Sequence, residues 1–268
     1  MRLIFRAILL LALLVAVYFG TERLVVYPLD PRLVSPQDAG EPRLTETKFD
    51  NMVVWTAAPK RGKPTILYLH GNAGHLSNRV PRFQRLLDRG YGIIAPAYRG
   101  GSGSSGWPTE DGIMGDIRAL YAALSSGKLT GTPTAPIIYG ESIGAAVTIH
   151  LNASYGMDHG WLPPKAIILE APFTSLHDVA AHLHPQLPLA TGLMLSRWDS
   201  SKWASQLSAP LLILHGENDQ LIPLSMGRAI LDAAKSPDKA LYVVEGAGHI
   251  NVWTGAAQRR LYRFLSQF

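Results

Sequence analysis

The longest uninterrupted apolar run lies at the start of the chain. After Met1-Arg2-Leu3-Ile4-Phe5-Arg6 comes AILLLALLVAVYF, Ala7 to Phe19, with no charge, proline or glycine. Leu3 to Gly20 is 18 residues, about 27 Å of helix at ~1.5 Å per residue, which nearly matches a ~30 Å hydrocarbon core once Arg6 snorkels to the headgroups. Tyr18, Phe19 and Tyr27 suit the opposite interface. The run also has the length of a signal-peptide core, but Tyr18-Phe19-Gly20 sets a bulky residue where a cleavage site needs a small one. The expectation is therefore an uncleaved anchor over residues 1–22. A cleaved signal, giving a secreted or periplasmic product, and a buried helix of a soluble fold are the alternatives. Arg2 and Arg6 predict a cytoplasmic N-terminus and the following domain on the non-cytoplasmic side, against the charges Glu22, Arg23, Asp30 and Arg32 beyond the run.

Residues 23–44 carry Pro28, Pro31, Pro36 and Pro42 and read as a connector that hugs the following domain or links to it. From Thr45 a strand, a turn and a second strand, Met52–Ala57, give way to short apolar runs alternating with amphipathic segments. PTILYLHG (Pro64–Gly71), YGIIAPAYRG (Tyr91–Gly100), APIIYG (Ala135–Gly140), KAIILEAPF (Lys165–Phe173), APLLILHG (Ala209–Gly216) and KALYVVEGAG (Lys239–Gly248) predict strands. Val80–Arg89, Thr109–Leu124, Ile143–Ser154, Leu224–Ala234 and Ala257–Phe268 predict helices. Continuous apolar strands separated by helices imply parallel pairing with both sheet faces covered. The expected architecture is a mostly parallel, doubly wound α/β sheet over residues 45–268, with its site at the carboxyl ends of the strands. Residues 174–207 are long for a crossover and are expected to form a small helical lid.

Composition narrows the chemistry. Of 268 residues, 47% are hydrophobic and 17% charged, so the chain can bury a full core. The absence of cysteine excludes a disulfide scaffold, a thiolate zinc site, an iron–sulfur cluster and a cysteine nucleophile. The net charge of +5 comes partly from Arg2, Arg6 and Arg23 near the N-terminus, and no dense Lys/Arg run points to nucleic acid. His182 and His184 have no carboxylate at metal-ligand spacing, so no metal or cofactor is expected. His70 and His215 read as hydrogen-bonded turn residues, and His150 and His159 fall in a helix and a loop.

The strand ending Ile137-Ile138-Tyr139 runs into Gly140-Glu141-Ser142-Ile143-Gly144, followed by Ala145-Ala146. This is G-x-S-x-G between a strand and a helix, where the glycines keep the neighbours of a strained serine clear of the backbone. A serine hydroxyl needs a base. His249, after the last strand, is the expected base, and Asp219, in HGENDQLIP after the preceding one, the expected acid; the order Ser, Asp, His is that of α/β-hydrolases. Glu170, after another strand, is the rival acid. Glu141 is expected to support the turn from beneath. The Ile143 amide, at the helix N-terminus, and the Asn72 amide, in His70-Gly71-Asn72-Ala73-Gly74, are the expected oxyanion donors.

Together, YLHGNAG, PAYRGGSGSSGWPTEDGI, YGESIGAAV, LEAPFTSL, LLILHGENDQLIP and GAGHINV resemble the α/β-hydrolase superfamily, most closely its N-terminally membrane-anchored branch with a reduced lid. The likeness covers Thr45 to the C-terminus and extends to the prelude RLVVYPLDPRLVSPQDAG. It implies an α/β-hydrolase fold and a serine hydrolase acting on a small-molecule or lipid ester substrate, as an esterase, lipase or depalmitoylase. An oligopeptidase-like amide hydrolase and a non-catalytic binding scaffold are the other readings. Ser142 excludes the aspartate-nucleophile dehalogenases and epoxide hydrolases of the same fold.

Overall fold

The computed structural model describes residues 2–154, 160–187 and 191–268. Helix α1 spans Arg2–Val26. It continues through Gly20 and ends about two turns beyond the apolar run, because Glu22-Arg23-Leu24-Val25-Val26 contains nothing that breaks a helix. The Ile4–Val26 stretch is long and apolar enough to cross a membrane by length and composition.

Eight strands form one sheet: β1 (Thr45–Phe49), β2 (Met52–Ala57), β3 (Thr65–Leu69), β4 (Gly92–Pro96), β5 (Ile137–Glu141), β6 (Ala166–Glu170), β7 (Leu211–Gly216) and β8 (Lys239–Val244). Their order is β1-β2-β4-β3-β5-β6-β7-β8. Only β2 runs antiparallel to its neighbours, β1 and β4. Parallel pairing joins β4, β3, β5, β6, β7 and β8.

Alternation along each strand divides the core. Ile66, Tyr68, Ile93, Tyr139, Ile168 and Leu214 share one cluster with Phe83 and Leu86 of α2 (Val80–Asp88) and with Leu261 and Phe264 of α8 (Gly255–Leu265). On the other face, Leu67, Leu69, Ile94 and Ile138 meet Ile117, Leu120 and Tyr121 of α3 (Glu110–Ser125) and Val147 and Leu151 of α4 (Ile143–Ala153). A third cluster joins Ile167, Leu169, Leu211 and Ile213 to Ile149 of α4 and Ile230 of α7 (Leu224–Ala233). Nearly every residue of β3 to β7 is buried on one side or the other, which explains why these strands read as apolar runs.

Between β6 and β7 lie α5 (Leu176–Leu183) and α6 (Ser200–Ala204). Ser175 caps α5 by accepting from the Asp178 N–H, and Asp199 caps α6 by accepting from Lys202. Residues 188–190 of this segment, and His159, lie outside the described residues.

The Pro-rich segment after α1 is strapped to the domain. Asp30 N–H donates to Gly74 O at 3.0 Å, Gly74 N–H to Pro28 O at 3.3 Å, and Ser102 N–H to Asp30 O at 2.6 Å. Tyr27 is buried, and its hydroxyl accepts from Trp198 Nε1 at 2.9 Å.

Candidate active site

Ser142 occupies the turn between β5 and α4 with φ 54° and ψ −115°, a left-handed conformation costly for a residue with a Cβ. Its neighbours leave no slack. A Cβ on Gly144 would stand 2.0 Å from Leu69 O, and one on Gly140 would stand 2.4 Å from Gly144 O. The Ser142 N–H donates to Glu170 O at 2.8 Å, fixing the turn to β6.

Three side chains from three loops meet here. His249 Nε2 lies 3.2 Å from Ser142 Oγ, and His249 Nδ1 lies 2.8 Å from Asp219 Oδ2. The two contacts assign the proton on Nδ1 to the aspartate and leave Nε2 as the acceptor facing the serine. Asp219 Oδ1 accepts from the N–H groups of Leu221 and Ile222 at 3.0 and 2.8 Å. Burial alone would raise the Asp219 carboxyl, but the His249 and Ile222 hydrogen bonds outweigh it and hold its pKa below the usual value. Beneath it His215 donates from Nε2 to Ile222 O at 2.9 Å, and burial lowers its pKa.

Glu170 is engaged elsewhere. Its carboxylate takes two bonds from Arg82, at 2.6 and 2.9 Å, one from the Tyr139 hydroxyl and one from Trp253 Nε1 at 3.1 Å. Glu141 accepts from the Tyr68 hydroxyl at 2.8 Å and pairs with Arg79 at 3.1 Å. Burial pushes the Glu141 carboxyl up, but Arg82 and Arg79 prevail and bring it to about 2. It is ionised at neutral pH, and its partners are Tyr68 of β3, Arg79 just before α2 and Arg82 within it. Trp253 also donates to the Tyr139 hydroxyl at 2.8 Å, tying the loop that carries His249 to β5.

The two expected oxyanion donors differ in what the structure says of them. Ile143 opens α4, so its N–H has no partner within the helix. Asn72 lies on the loop after β3, and its side-chain amide donates to Val26 O at 2.9 Å, away from Ser142. A small cleft of about 80 Å³ is lined by Ser142, His249, Arg82, Glu141, Glu170, Ala171 and Ile250. Among the described residues no cluster of histidine and carboxylate side chains could hold a metal ion. His182 instead approaches Gln220 O at 3.3 Å.

Sequence reading missed the buried ion network and the ties from α1. Arg79 and Arg82 stand three apart on the same side as Phe83 and Leu86, and that register was the one available sign of inward-facing arginines.

A family model described as "Serine aminopeptidase, S33" matches residues 182–251. The human alpha/beta hydrolase domain-containing protein 17B is 32% identical over 235 residues, covering 86% of this chain and 77% of that protein. Lysophosphatidylserine lipase ABHD12 of Danio rerio is 35% identical over 186 residues, covering 64% of this chain and 47% of the lipase. The chain spans about half to two thirds of the length of other curated relatives it matches at similar identity. Among solved structures, the Pyrococcus furiosus esterase Pf2001 superposes with a TM-score of 0.67 at 20% identity, covering 89% of this chain and 97% of the esterase. That likeness extends the agreement in fold, and the identity to protein 17B over most of its length carries the kinship: the chain belongs to the α/β-hydrolase family.

Proposed function

We propose that this protein is a serine hydrolase cleaving carboxylic ester or thioester bonds of lipid or acylated substrates through an acyl-enzyme. The observation that carries the reading is His249 bridging Ser142 Oγ and Asp219 on a strained strand–helix turn. His249 Nε2 takes the Ser142 proton as Oγ attacks the acyl carbon, and Asp219 stabilises the resulting imidazolium. The N–H groups of Ile143 and Asn72 receive the developing oxyanion. The imidazolium then protonates the leaving alcohol or thiol. Water, deprotonated by the same nitrogen, releases the acid and restores Ser142. The lipase and esterase names among the relatives support an ester as the scissile bond.

In this reading α1 is a membrane anchor with the catalytic domain, residues 45–268, on the non-cytoplasmic side, and residues 174–207 are its lid. The test is turnover by the purified full-length chain of nitrophenyl esters and acyl thioesters of graded length, beside peptide anilides. Ester or thioester turnover is expected to dominate. Dominant anilide cleavage would replace the reading with a peptidase.

A further inference from the structure

Where the exposed apolar side chains fall is uneven. Beyond residue 33, every exposed large hydrophobic among the described residues lies on a segment that follows the carboxyl end of a parallel strand. Trp107 follows β4. Four lid leucines, Leu193 and Leu195 the most exposed at 68% and 67%, follow β6. Leu221 follows β7 beside Asp219, and Ile250 follows β8 beside His249, 91% exposed. Single exposed leucines are ordinary on a soluble surface. Their confinement to the end of the sheet that carries Ser142 is not.

The foot of α1 fixes the height of this face. Glu22 accepts from the N–H groups of Leu195 and Ser196 at 3.1 and 2.8 Å. The Arg23 guanidinium stacks 3.7 Å from the centre of the Trp107 ring. The stretch Ile4–Val26 has 23 residues, about 34 Å of helix against a ~30 Å hydrocarbon core. Glu22 and Arg23 therefore stand where such a helix leaves the hydrocarbon. Whatever is hydrogen-bonded or stacked there stands at headgroup level too. Leu24 and Val25 are themselves exposed at that level.

We propose that this face rests on the bilayer that α1 enters. Leu193, Leu195 and Trp107 reach into the interface, and the mouth over Ser142 opens toward lipid. The inference rests on α1 being an anchor, as proposed above. The occupant it commits to is the lipid surface, because the face is continuous with the helix that crosses it. Tryptophan and leucine beside a buried-end arginine are the side chains such an interface favours.

The chain has no cysteine, so single cysteines report position cleanly. Full-length Leu10→Cys, Leu193→Cys, Ile250→Cys and Thr132→Cys variants would carry an environment-sensitive fluorophore in phosphatidylcholine vesicles with or without brominated acyl chains. Thr132 is exposed just before β5, at the amino end of the sheet. Labels at 10, 193 and 250 should shift to the blue and be quenched by bromine, and the label at 132 should do neither. Quenching at 10 with 193 and 250 behaving like 132 overturns the docked face and leaves the anchor standing. No quenching at 10 overturns the anchor, and the docked face with it. Blue-shifted labels at 193 and 250 without bromine quenching place a second protein copy on the face and also overturn it. In a kinetic arm, a Leu193→Glu/Leu195→Glu double variant should lose about tenfold in hydrolysis of a vesicle-borne ester, with turnover of a soluble short-chain ester unchanged. Equal losses on both substrates would count against the docked face.

Discussion

Asp219 Oδ2 lies 2.8 Å from Nδ1 of His249, across the loops that follow two adjacent parallel strands. That contact separates the two carboxylates that compete for the role of acid. Asp219→Asn should lower kcat by about 10⁴ by leaving the imidazole in the wrong tautomer. Glu170→Gln should lower it far less. Its larger effect should be on stability, because removing one partner of a buried pair costs about 3–5 kcal/mol and Arg82 would keep only its longer ion pair with Glu141, at 3.7 Å. Steady-state kinetics and urea unfolding of both variants check the assignment. A reversed kinetic ranking would make Glu170 the acid.

Ser142 should be the residue that a fluorophosphonate probe labels. Labelling should vanish in Ser142→Ala, whose remaining rate should be only the ~10³–10⁴-fold over water that binding and the oxyanion site supply. Mass spectrometry of the labelled peptide identifies the site directly. A tag on any other serine sinks the assignment.

Two glycines should respond to alanine in opposite ways. Gly144→Ala puts a Cβ 2.0 Å from Leu69 O and should cost more than ~4 kcal/mol or abolish soluble expression. Gly115, in the middle of α3, has nothing within 4 Å of its Cβ position. Gly115→Ala should therefore raise stability by about 0.5–1 kcal/mol through helix propensity alone. Urea midpoints compare the pair.

Acid should destabilise the fold through buried imidazoles. Burial lowers His70 to about 3 and His150 to about 4. Below the ordinary histidine value near 6.5 the unfolded chain takes up protons that these two sites refuse, so stability falls with pH down to their folded values. Each site can contribute up to about 1.4 kcal/mol per pH unit in that window. His150→Gln should flatten the fall between pH 6.5 and 4, as read from urea midpoints. An unchanged slope would mean that His150 takes up a proton in the folded state after all.

The sheet and the elbow were legible because both depend on short-range pattern. Each parallel strand is built on one short apolar run, and G-x-S-x-G is a five-residue signal whose first glycine answers to a clash within the turn and whose second to the backbone of β3. His249 and Asp219 were found by their place after strands. The partners of Glu170 and Glu22 were not legible. Arg82 lies 88 residues before Glu170, and Leu195 lies 173 residues after Glu22. Nothing local in either segment marks the partner. The segment after α1 read as a connector because its prolines leave no periodic pattern, and the bonds that strap it to the domain go to distant backbone at Gly74, Ser102 and Gly103.

The strand that presents His249 lies at the sheet's edge. β8 pairs with β7 alone, and most of its residues are only half-buried, whereas β5 beneath Ser142 is flanked on both sides and almost wholly buried. Ser142 and His249 therefore stand on parts of the molecule with unequal resistance to local opening. When β8 frays, the imidazole departs while the elbow keeps its shape. On the proposed mechanism, catalysis should then stop in molecules whose core is still folded. Activity becomes a gauge of the weakest ladder, failing at a lower temperature or urea concentration than the sheet as a whole and returning when the edge closes again.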